Sequence, residues 1–166
     1  MSDVVRLISG GAELMLDACD GKKTIAQASG VFSHIDLDFK NWGTDVAGRA
    51  TPATPVAVYE QREHADFAKM FGTLADDPSK LVLEQDQVLN FIQKYRNWLR
   101  QDGWETFFIL RSRGKFFVAF VYCFSYGHLD MYLDRFKDSH VWSADYRDRL
   151  VVPQLQPFGS VQDKAL

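Results

Sequence analysis

The chain has 166 residues, 46% of them hydrophobic and 25% charged, a composition that excludes a disordered polypeptide and supplies enough length for a sizeable buried core. A formal net charge of −3 and a pI near 5.8 give no global basic field, which disfavours nucleic acid and acidic membrane surfaces as partners. No stretch approaches the roughly 20 apolar residues of a membrane span, the N-terminus lacks a signal-peptide run, and Cys19 and Cys123 have neither zinc-site nor disulfide-framework spacing, so a cytoplasmic protein is expected.

The N-terminal third is the least regular. Residues 3–8 form a short apolar segment ended by Gly10-Gly11. Residues 13–18 alternate weakly, as a strand would, and run into Asp20-Gly21, a pair suited to a hairpin turn with 24–28 as the returning strand. Residues 31–39 also alternate; in an extended chain His34, Asp36 and Asp38 share one face. Residues 41–55, broken by Gly43, Gly48, Pro52 and Pro55, read as a loop and mark the one candidate boundary in a chain that otherwise reads as a single domain over 1–166.

Residues 56–60 (VAVYE) read as a strand, and Phe67, Met70, Phe71 and Leu74 recur at helical spacing. The main amphipathic helix is expected over 84–100, where Val88, Phe91, Ile92, Tyr95 and Leu99 make the apolar stripe. Glu84 and Asp86 in its first turn, with Arg96 and Arg100 in its last, complement the helix dipole, and Asp102-Gly103 supplies the stop.

Three apolar strands follow, over 106–112, 115–125 and 128–136, turning at Arg113-Gly114 and Tyr126-Gly127. Two-residue turns at both places set Ser112 opposite Lys115, Ile109 opposite Val118 and Phe107 opposite Phe120, then Phe124 opposite Leu129 and Tyr122 opposite Met131. One face then carries Phe107, Ile109, Phe120, Tyr122, Leu129, Met131 and Leu133, the natural seat for the helix. The other carries Phe108, Leu110, Phe117, Ala119, Val121, Cys123 and Tyr132. A short strand over 149–152 ends at Pro153, and the tail from 154 to 166 is expected to be loosely ordered. The fold class is α+β, an antiparallel sheet of three or more strands packed against one main amphipathic helix.

Three stretches invite a functional reading. His34, Asp36 and Asp38 are the candidate metal ligands, because a His-x-Asp joined by a second histidine holds Fe(II) in a facial triad; polar residues at a strand edge are the plainer explanation. His128-Leu129-Asp130 repeats the spacing. A sheet apolar on both faces needs two covers. Phe108, Phe117, Val121 and Tyr132 are therefore the candidate interaction surface, met by the N-terminal half, by a protein partner, or by a second copy in a homodimer. Arg111, Arg113 and Lys115 are the candidate anion-binding group, and the span from Arg96 to Lys115 is the one cluster basic enough for nucleic acid.

Cys123, inside an apolar strand, reads as a buried thiol. No phosphate loop, dinucleotide fingerprint, cofactor-binding residue or catalytic constellation is identified. The leading reading is a non-enzymatic binding or interaction protein, self-associating through the second sheet face. The alternatives are a small metal-dependent enzyme using His34, Asp36 and Asp38, and nucleic-acid binding through the Arg96–Lys115 cluster. The runs NWLRQDGWETFFIL and VWSADYRDRLVVPQL resemble pieces of small uncharacterised bacterial proteins, a resemblance that implies no activity, cofactor or catalytic residue.

Overall fold

The computed structural model describes residues 4–155. They form an α+β fold around one sheet of eight strands: β1 (Val5–Leu7), β2 (Leu14–Leu16), β3 (His34–Ile35), β4 (Thr54–Gln61), β5 (Glu105–Ser112), β6 (Lys115–Cys123), β7 (Leu129–Arg135) and β8 (Arg149–Pro153). The order is β1-β4-β8-β5-β6-β7-β3, with β2 also on β4. The α-helices are α1 (Asp38–Asn41), α2 (Phe67–Gly72) and α3 (Gln85–Lys94). The sheet is mixed rather than wholly antiparallel: β8 runs parallel to β5, and β3 parallel to β7. Neither strand reaches its parallel neighbour through a hairpin, so no tight turn imposes an antiparallel sense.

The β5–β6 hairpin has the register expected from sequence, Ser112 opposite Lys115 and Phe107 opposite Phe120. Arg113 and Gly114 lie at φ 53° and 76°, the two left-handed residues that a two-residue turn needs. The β6–β7 hairpin differs. Phe124 N–H donates to the His128 carbonyl at 2.9 Å, leaving 125–127 as a three-residue loop with Gly127 at φ 87°. The extra loop residue sets Val121 opposite Met131 and Cys123 opposite Leu129, in place of the expected Phe124–Leu129 and Tyr122–Met131 pairs. A slip of one residue turns over every side chain of a strand. Leu129, Met131 and Leu133 therefore lie with Val121 and Cys123, while Tyr132 stacks on Phe120 across the other face.

The helix sits accordingly. Val88, Phe91 and Ile92 of α3 share a core with Phe108, Phe117, Val121 and Met131, and the Phe91 ring stands 5.8 Å from that of Phe108. The expected seat on the Phe107–Ile109–Phe120 face is thus corrected: β7 gives its aliphatic side chains to the opposite face, and α3 follows them. Leu14, Leu16, Ile25, Phe32 and Phe39 from the N-terminal half complete this core. The Phe107 face is closed by Phe67, Met70 and Phe71 of α2, with Leu81 and Trp142.

Local departures have local causes. The expected helix over 84–100 stops at Lys94, where Tyr95 leaves helical geometry at φ −126° and a 3-10 turn (Arg96–Trp98) follows. The Tyr95 hydroxyl accepts from Met15 N–H at 2.9 Å and donates to the Met15 carbonyl at 3.1 Å, binding the helix end to β2. Gly21 does not turn a hairpin; its N–H donates to Asp86 Oδ2 at 3.0 Å, and the expected returning strand is a 3-10 turn, Ile25–Gln27. Alternation over 31–39 survives only as β3 before α1 begins. Most of the expected C-terminal tail, 156–166, lies outside the described residues. Among the described residues no helix is long and apolar enough to cross a membrane.

Candidate functional site

The tip of the β5–β6 hairpin and the end of β7 meet at one end of the sheet. Arg135 pairs with Phe117 in the ladder, and Phe136 N–H donates to the Phe116 carbonyl at 3.1 Å, so the two chain segments run on together past the last ladder pair. Between them lies a pocket of about 220 Å³ lined by Lys115, Phe116, Phe117, Arg135, Phe136 and Lys137. Lys115, Arg135 and Lys137 are exposed, Phe116 and Phe136 half-buried, and Phe117 buried. The Phe116 and Phe136 rings meet edge-on with centroids 6.2 Å apart.

Two of the lining residues are held from outside the pocket. Trp42, just beyond α1, stacks on Phe117 at 6.0 Å, and the Arg135 guanidinium lies 4.2 Å from the centre of the Trp42 ring. Such a contact holds a cation over an aromatic face and leaves its N–H fork free to meet an anion. Every charged residue of the lining is a cation.

The three residues expected to bind anions divide between two hollows. Lys115 lines this pocket, whereas Arg111 and Arg113 line a neighbouring one of about 190 Å³ with Val46, Gly48, Glu84 and Gln85. Glu84 there accepts from Arg49 N–H at 3.1 Å and lies 3.8 Å from its guanidinium, so that second hollow carries mixed charge. Arg96 and Arg100 are remote. They bond the carbonyls of Gly127 and Tyr146, at the other end of β5, about 24 Å from the tip for eight extended residues. The basic span that is continuous in sequence is not one patch in space.

The other candidates fall as follows. His34 is exposed on β3, its ring 5.3 Å from Tyr132. Asp36 Oδ1 accepts from Asp38 N–H at 3.0 Å and Oδ2 from Leu133 N–H at 3.2 Å, fastening β3 to β7; Asp38 Oδ1 lies 3.4 Å from Asn41 Nδ2. Among the described residues no three His, Cys, Asp or Glu side chains gather where they would hold a metal ion. His128 Nε2 pairs with Asp130 Oδ1 at 2.8 Å, and Asp130 is the ladder partner of His34. Phe108, Phe117 and Val121 lie in the α3 core, covered by this chain's own N-terminal half, and Tyr132 is half-buried on the opposite face. Cys123 is buried with Sγ 3.3 Å from Gln101 Oε1. Near β3, burial first and then Asp138 and Asp36 push the Asp134 carboxyl up to about 6.

Sequence reasoning missed Trp42, Arg135 and Lys137. Nothing in a linear reading joins residues 42, 115 and 135; only the β6–β7 register brings Arg135 beside Phe117. The expected alternation of β7 was the available signal, since it placed a cation at the strand's end. No protein family, curated protein or solved structure matches the chain.

Proposed function

We propose that this chain is a ligand-binding protein whose pocket at the end of β6 and β7 takes a small molecule carrying an anionic group on a flat apolar body. The observation that carries this is the pocket lining: three cations and no carboxylate around three phenylalanine rings. Rings bind a flat apolar body by burial and stacking, and exposed cations each add about 0.2–1 kcal/mol and an orientation for the anion. The lining has no carboxylate, imidazole, thiol or hydroxyl, which supports binding rather than turnover.

Adenosine monophosphate and anilinonaphthalene sulfonate, each an anion on a flat ring, serve as probes in calorimetric titration. Saturable binding to one site is expected, weakened about tenfold or more by Arg135→Glu or Lys137→Glu and weakened again by raising the salt concentration. Binding of neither probe, or affinity indifferent to both charge reversals, removes the proposal.

A further inference from the structure

Away from the pocket, where β5 begins and the chain enters β8, two carboxyl groups lie inside the protein. Glu105 is 4% exposed and Asp148 0%. Parallel pairing of β5 with β8, Thr106 beside Arg149, draws them together. Glu105 N–H donates to Asp148 Oδ1 at 3.0 Å, and the two side chains are within hydrogen-bonding reach of each other. Asp148 Oδ2 and Glu105 Oε2 are both buried without a hydrogen-bond donor. Two ionised carboxylates so placed repel each other and leave two desolvated acceptors unsatisfied. A single hydrogen between them satisfies both oxygens and removes one charge.

We propose that Glu105 and Asp148 hold one shared proton, and that its loss loosens the β5–β8 junction, making this end of the sheet a pH-sensitive latch.

The surroundings favour keeping the proton. From β6, Tyr122 hydrogen-bonds Glu105; burial above all, then Glu105, and more weakly Tyr132 of β7 and Asp148 itself, hold its phenol neutral. On the segment entering β5, Arg100 is the cation whose field reaches Asp148, but its Nε is donated to the Tyr146 carbonyl at 2.9 Å. Arg149, next in β8, donates instead to the Trp98 carbonyl at 3.0 Å. Glu60 of β4 is engaged by Arg62 at 3.1 Å. From β4, Gln61 offers Asp148 only a backbone bond, its N–H donating to the Asp148 carbonyl at 2.8 Å. Trp104 and Tyr146, beside the two acids in sequence, stack at 4.0 Å and 8° and tie the two segments together. Burial first, and then Glu105, push the Asp148 carboxyl up to about 8.

Because this folded-state value lies above that of the unfolded chain, the stabilisation is complete under acid conditions and is lost as pH rises through about 8. Urea unfolding of the full chain across this range tests the latch. The unfolding equilibrium constant is expected to rise about tenfold between pH 7 and pH 9 in the native sequence, and by less than about twofold in Asp148→Asn, whose amide donates permanently to Glu105. Carbon NMR of the unsubstituted protein provides a second reading that needs no variant: one carboxyl of the pair should titrate near pH 8. A flat native profile, an unchanged slope in Asp148→Asn, or both carboxyls ionising in the ordinary acid range would overturn the proposal. If Asp148→Asn does not fold, the NMR titration alone decides.

Discussion

Gly21 has no room for a side chain. It sits at φ +81°, and a Cβ there would come within 2.3 Å of the Arg49 backbone. Its N–H also satisfies the buried carboxylate of Asp86 at 3.0 Å. Gly114, at φ +76°, has the same backbone demand but open space around it. Gly21→Ala is therefore expected to cost more than about 2 kcal/mol, and Gly114→Ala about 1 kcal/mol, by chemical denaturation. Equal losses would mean that backbone conformation, not the contact with 49–50, governs both. Asp134 supplies a second residue-scale test. Its carboxyl is raised to about 6, chiefly by burial, so its contribution is complete under acid conditions and disappears as pH rises through about 6. Asp134→Asn should flatten the stability profile there and leave the higher window of Asp148 unchanged.

At the scale of elements, what the sequence makes legible is what is local. The Arg113-Gly114 turn fixes its own register, because both residues accept positive φ and the flanking apolar runs leave a single alignment. Tyr126-Gly127 suits loops of two or three residues equally well, since either needs a glycine with positive φ near its end. Choosing between them depends on what β7 meets on each face, which is not local. Deleting Ser125 should convert the loop into a two-residue turn at Tyr126-Gly127 between Phe124 and His128, leaving the register, and with it Met131 and Leu133 beneath α3, unchanged. Amide protection retained in β5, β6 and β7 is the expected result by hydrogen exchange, and its loss in β7 would mean that the loop, not the packing of β7, sets the register. The end of α3 at Lys94 was equally hidden, because the apolar stripe continues through Tyr95 and Leu99 while a contact from β2 takes the Tyr95 hydroxyl. Lys115 was legible as part of the site. Arg135 and Trp42 were not, because their partner Phe117 is distant from both in sequence.

At the scale of the molecule, both faces of the sheet are closed by the chain itself, the Phe108 face by α3 and the N-terminal half, the Phe107 face by α2 and Trp142. The cationic pocket lies at one end of the strands and the buried carboxyl pair at the other, so the two proposed sites occupy separate ends of one sheet. The strand order carries a further consequence. Among the described residues β4 and β5 are joined only through β8, so the middle of the sheet is filled by a strand that follows all the others in the chain. A nascent chain emerging from the ribosome holds β4 and β5 with facing edges bare, each a template for the wrong strand. The sheet is not completed until β8 has been made, and any nonsense truncation before Arg149 should yield an aggregating product rather than a smaller folded one.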